Sequence, residues 1–162
     1  DYPVILNPGK DGTVYSIFFP LAFKISKRTL NKVRLSKPTY LRFDEFGEWI
    51  PTASFLYYSE DNDLIWPKDN DKLRILQFRE REWVLYARYC HLSKELYIQE
   101  FFASDLKRAR SECKDTLHIG SMRQLKQTNP GLLNNLLQGD SIYFSFVAKQ
   151  KFYHITLPVK IK

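Results

Sequence analysis

Three histidines (His91, His118 and His154), two cysteines (Cys90 and Cys113) and 18 carboxylates are the groups with which this chain could do chemistry. Nucleophilic catalysis needs a base within hydrogen-bond reach of its nucleophile, and the histidines fall on three separate expected elements. The sequence has no Gly-x-Ser-x-Gly elbow, no glycine-rich phosphate loop and no dinucleotide fingerprint. Its six glycines all fall in expected turns or caps, which leaves nothing to build a backbone cradle for phosphate. Cys90, His91, Cys113 and His118 add up to four zinc-ligand types, but neighbours on a strand point to opposite faces, so no metal site is expected. The acidic loops Glu60-Asp61-Asn62-Asp63 and Asp69-Asn70-Asp71 lack the glycine and terminal glutamate of a calcium-binding loop, and read as turn formers. A metal-dependent nuclease would draw on Glu45, Glu48, Asp61 and Asp63. Two thiols fit a reduced protein or a single Cys90–Cys113 bridge; the helical spacing around Cys113 favours a packed core residue. No cofactor is implied.

The cations are more organised. The chain carries 25 basic and 18 acidic residues, a net charge of +7. Residues 1–40 hold seven basic and two acidic groups, residues 121–162 six and one, while residues 41–80 hold five and nine. Both ends are therefore basic and the second quarter is acidic. Lys24, Lys27, Arg28, Lys32, Arg34 and Lys37 occur with no carboxylate among them, and Lys107, Arg108, Arg110 and Lys114 fall on an expected helix. Such a field attracts phosphate backbones, anionic lipid or acidic protein surfaces; a solvated face kept basic for solubility looks the same in sequence.

These groups have to be positioned by a sheet. Twelve Phe, ten Tyr and three Trp suit a pleated surface better than a helix bundle. The alternation and the turn residues predict strands over Thr13–Phe19 (interrupted by Pro20), Thr39–Phe43, Glu48–Ile50 (closed by Pro51), Ala53–Tyr58 and Leu64–Trp66. Lys72–Arg79 and Trp83–Tyr89 read as a central pair. Leu96–Phe102 is open between strand and helix. Ser104–Leu117 is expected to be helical, with Leu106, Ala109, Cys113 and Leu117 on one face. Ser121 with Gln124 fits a capping box. Asn129-Pro130 fits an N-cap followed by a first-turn proline, and Gly139 a helix stop after Leu132, Leu133, Leu136 and Leu137. Ser141–Val147 and Phe152–Val159 close the chain as a hairpin.

The expected fold is mainly β, with α+β as the alternative: an antiparallel β-barrel or half-open barrel with two or three short helices before a C-terminal hairpin. A chain of 162 residues is read as a single domain over 1–162. Its longest dense apolar stretch, Phe18–Phe23, is too short to span a bilayer. The leading expectation for function is a non-enzymatic binding module with a basic face. It would engage nucleic acid through phosphate contacts from Lys27, Arg28, Lys32, Arg34, Lys107, Arg108 and Arg110. Tyr40, Tyr57, Tyr58, Tyr86, Tyr143 and Tyr153 are candidates for base stacking, although most of them read as packing residues. The first alternative is a protein–protein interaction or assembly domain, in one version extracytoplasmic, which predicts an exposed aromatic or apolar patch; an acidic protein partner would be drawn by the basic field. The second is a metal-dependent hydrolase or nuclease.

Overall fold

A computed structural model describes residues 2–26, 34–44, 46–61, 63–67, 82–90, 92 and 95–160. Half of these are in strands and 24% in helices, and the expected class holds: a mainly antiparallel β chain of half-open barrel type with short helices ahead of a closing hairpin. The strands are β1 (Pro3–Pro8), β2 (Val14–Lys24), β3 (Arg34–Leu35), β4 (Thr39–Phe43), β5 (Trp49–Thr52), β6 (Ser54–Glu60), β7 (Asp63–Ile65), β8 (Glu82–Cys90), β9 (Leu117–Ser121), β10 (Ser141–Ala148) and β11 (Lys151–Pro158). The helices are α1 (Leu96–Phe101), α2 (Ala103–Ser111), α3 (Met122–Thr128) and α4 (Pro130–Leu137). One sheet has the order β7-β6-β8-β2-β1-β9; the other runs β11-β10-β4-β5, with β3 also paired to β10.

The chain divides into two compact units. The first comprises Asp1–Pro20 and Ala87–Leu136. Here β1 is flanked by β2 and β9, in registers that include Ile5↔Phe18 and Ile5↔His118. Val4, Leu6, Ile17, Phe19, Tyr89, Ile98 and Phe102 are buried, and the Phe19 and Tyr89 rings meet edge-on at 5.4 Å. Gln99 on α1 takes the place of a strand neighbour. Its Oε1 accepts the Val14 N–H at 2.6 Å and its Nε2 donates to the Leu92 carbonyl at 2.7 Å. The capping box at α3 is formed in both directions. Gln124 N–H donates to Ser121 Oγ at 3.3 Å, and Ser121 N–H donates to Gln124 Oε1 at 2.8 Å. Asn129 caps α4 by accepting the Leu132 N–H at 3.1 Å, and the four leucines of that helix are buried.

The second unit comprises Leu21–Tyr86 and Leu137–Lys160. Tyr40, Leu56, Trp83, Val84 and Leu85 are buried. The Tyr58–Trp83, Tyr57–Tyr86 and Tyr57–Trp66 rings pack edge-on. Gly139 has φ +83, and a Cβ there would stand 2.8 Å from the Phe43 ring, so both its conformation and its surroundings require glycine.

Three expectations need correction. Pro20 does not interrupt β2, which continues to Lys24. The ladder with β1 ends at Ile5↔Phe18, so no bond of that ladder needs the N–H that proline lacks. Pro51 lies inside β5 rather than after it, as an edge position allows. The helix expected to reach Leu117 stops at Ser111. Cys113 takes φ +51, its N–H donates to the Arg110 carbonyl at 3.3 Å, and Lys114 N–H donates to the Ala109 carbonyl at 2.9 Å. This pair of bonds is a Schellman stop with cysteine in the place usual for glycine, and Leu117 opens β9 instead. Leu96–Phe101 resolves to helix. The strand expected over Lys72–Arg79 lies outside the described residues.

Candidate functional site

The most exposed regular element is β11. Its position follows from the turn that precedes it. Lys149 and Gln150 adopt φ 48 and 61, the left-handed pair that a two-residue type I′ hairpin turn demands. That turn sets the register from Ala148↔Lys151 to Ser141↔Pro158. In such a hairpin the pair closing the turn exchanges both backbone hydrogen bonds, and bonded pairs then recur at every second position. Lys151, Tyr153, Ile155 and Leu157 therefore face β10 with their amides. The Val159 N–H, two residues further on, donates to the Asp140 carbonyl at 2.8 Å and keeps the same phase. It follows that the N–H groups of Phe152, His154 and Thr156 point away from β10, as do the carbonyls of these residues and of Pro158.

No described strand lies beyond β11, which ends its sheet. All eight of its residues are exposed. Phe152 is 86% exposed, and Tyr153, Ile155 and Leu157 are close to half exposed. The other edge of β10 is occupied by β3 and β4, through Leu35↔Phe146 and Ile142↔Tyr40. Tyr153 stacks on Phe146 (5.5 Å, 15°), and His154 stacks on Tyr143 (5.8 Å, 25°). Two ring pairs thus brace the hairpin across its width while its outer row of amides faces solvent.

Asp140 anchors the base of this hairpin. Its Oδ1 accepts the Phe43 N–H at 2.7 Å and its Oδ2 accepts the Tyr40 hydroxyl. The Trp49 indole N–H donates to the Gly139 carbonyl at 3.1 Å. Burial pushes the Asp140 carboxyl above the usual carboxylate range, while the Tyr40 hydroxyl and Phe43 amide pull it back down. Burial, joined by the neighbouring Asp140 charge, holds the Tyr40 phenol far above its ordinary value.

The basic residues are placed as follows. Lys107, Arg108 and Arg110 all lie on α2. Arg108 donates to Asp105 Oδ1 at 2.9 Å and to the His118 carbonyl at 3.3 Å, so its guanidinium is committed to holding α2 against β9. Arg110 covers Gly12 and, with Lys10 and Lys114, lines a cavity of about 480 Å³ that also holds Asp11 and Asp115. Arg34 lies on β3 opposite Val147. Lys27, Arg28 and Lys32 lie outside the described residues.

Of the tyrosines considered for stacking, Tyr40 and Tyr86 are buried, Tyr57 and Tyr58 pack on other rings, and Tyr143 is covered by His154. Cys90 and Cys113 are free thiols. Contrary to the expectation from spacing, Cys113 is exposed rather than packed, because the helix ends before it. Among the described residues no group of three His, Cys, Asp or Glu side chains could hold a metal ion, and no helix is long and apolar enough to cross a membrane. Comparison with family models, curated proteins and solved structures finds no match to this chain.

Proposed function

We propose that this chain is a non-enzymatic binding module that takes up other polypeptides on the outer edge of its C-terminal hairpin. The observation that carries this reading is the eight-residue strand β11, exposed along its whole length with a free row of donors and acceptors. An uncovered strand edge is a template for another chain, and folded proteins normally shorten or cover such edges. Strand addition takes its affinity from the main chain and its selectivity from alternate side chains. Here Tyr153, Ile155 and Leu157 offer an apolar row beside which a partner's side chains would pack. The test is selection from a displayed library of random peptides against the wild-type chain and against a His154→Pro variant. Enrichment on the wild type and its loss on the variant supports the reading. No enrichment, or equal enrichment on both, overturns it.

Polyanion binding is a second reading, favoured by Lys107 and Arg110, which are exposed and carry no ion pair among the described residues. With Lys10 they would supply phosphate contacts. Titration of a single-stranded oligonucleotide should then show affinity falling steeply as salt rises. Absence of binding at low salt overturns it.

A further inference from the structure

We infer that the occupant of β11 is an extended segment of another protein with acidic residues flanking an alternating apolar centre. This inference rests on the reading of β11 as a docking edge and names its partner's chemistry. The sequence from Ser141 to Lys162 contains Lys149, Lys151, Lys160 and Lys162 and no Asp or Glu. Lys149 and Lys151 stand at the turn end of the free edge, and Lys160 stands just past its other end at Pro158. Between Lys151 and Pro158 lie six residues, Phe152–Leu157, with no carboxylate. At about 3.3 Å per residue this is a ladder of roughly 20 Å, bracketed by cations at both ends. A strand of matching length with Asp or Glu at each end would satisfy the amides of Phe152, His154 and Thr156 and place its charges beside the lysines.

A second copy of this chain fits poorly. Any antiparallel register centred on His154–Thr156 brings Lys149 and Lys151 of one copy alongside Pro158 and Lys160 of the other. This gathers the lysines of both copies at each end of the ladder, within the screening length of physiological salt, where like charges repel, and Pro158 has no N–H to give. A nucleic acid also fits poorly at this edge. The carbonyls of Phe152, His154, Thr156 and Pro158 face outward among the amides, and each would repel a phosphate oxygen.

The test uses the full chain and four labelled synthetic peptides of about nine residues, followed by fluorescence anisotropy. Each has the same alternating Val-Thr centre. One has paired Glu at both ends, one has paired Lys, and two are the Glu peptide N-methylated on alternate centre amides, one in each of the two phases. The Glu peptide is expected to bind about tenfold or more tighter than the Lys peptide, a difference of about 1.4 kcal/mol. That advantage should shrink as salt rises. Methylation in one phase should abolish binding, and in the other leave it. Equal binding of the Glu and Lys peptides, lost on methylation in one phase, overturns the acidic preference and leaves the edge reading standing. Binding that is indifferent to methylation in both phases overturns both, as does failure of every peptide to bind. Tighter binding of an oligothymidylate of equal charge, competing with the Glu peptide, overturns the protein partner in favour of a polyanion.

Discussion

The hydroxyl of Tyr40 donates to the carboxylate of Asp140 across 100 positions of sequence, and both residues are closed off from water. The bond ties β4 to the residue just before β10. Because the same carboxylate also accepts the Phe43 amide, removing one partner leaves a buried charge half satisfied.

Tyr40→Phe should therefore cost about 1–3 kcal/mol or more, that being the range for a buried polar group left without a partner, with charged groups lying above it. Urea unfolding at neutral pH measures it. A cost below a few tenths of a kcal/mol would show that water replaces the hydroxyl.

The same carboxyl sets a pH dependence. Its native pKa lies above the ordinary 3.8, with burial as the first cause, so in the window above 3.8 the native state holds a proton the unfolded chain has released. Stability from this group is full below that window and is lost as pH rises through it. Asp140→Asn keeps the shape and cannot ionise. Its stability relative to wild type should rise between about pH 3.5 and 7, read from urea melts at the two ends. A relative stability that falls over this interval would contradict the raised native value.

Gln99→Leu keeps the volume of the side chain but strands the Val14 amide and the Leu92 carbonyl, which Gln99 serves at 2.6 and 2.7 Å. The expected cost is about 1–3 kcal/mol, with hydrogen exchange at the Val14 amide accelerated well beyond its neighbours.

Cys113→Gly should stabilise the chain by about 1 kcal/mol, since the left-handed conformation of a side-chain-bearing residue costs that much. The φ of +51 is set by the helix stop and would be retained. Thermal melts of the two proteins decide the sign, and a loss of stability would place a packing role on the thiol.

Hydrogen exchange should alternate along β11. Tyr153, Ile155 and Leu157 amides should be protected and those of Phe152, His154 and Thr156 should exchange fast. Proline at Ile155 should accordingly cost about 2–3 kcal/mol more than proline at His154, because only the former removes a ladder bond. Reversed protection would shift the hairpin register by one and move the docking row with it.

Much of the architecture was legible because it is encoded locally. Ser121 with Gln124, Asn129 with Pro130, and Gly139 each set a helix end by a contact within a few residues, so the sequence pattern and the hydrogen bonds coincide. The strands of the C-terminal hairpin were legible for the same reason. The helix stop at Cys113 was not, because Leu106, Ala109 and Cys113 keep helical spacing whether or not the last turn closes on itself. The exposure of β11 was hidden more deeply. An alternating apolar strand reads alike at the centre or the margin of a sheet, and strand order is settled by long-range pairing such as Tyr40 with Ile142. The cations drew attention through their number, yet Arg108 is spent on Asp105 and the His118 carbonyl. The lysines around β11 were visible all along, but acquired meaning only once the strand between them proved bare.

Trp49 has a further consequence. Its indole N–H rests on the carbonyl of Gly139, one peptide bond from the buried acid, while Trp83 sits deep among rings. The molecule thus carries a native fluorophore next door to a carboxyl that burial holds above its ordinary range. Its emission colour should track the protonation of Asp140 in the intact protein, without label or mutation.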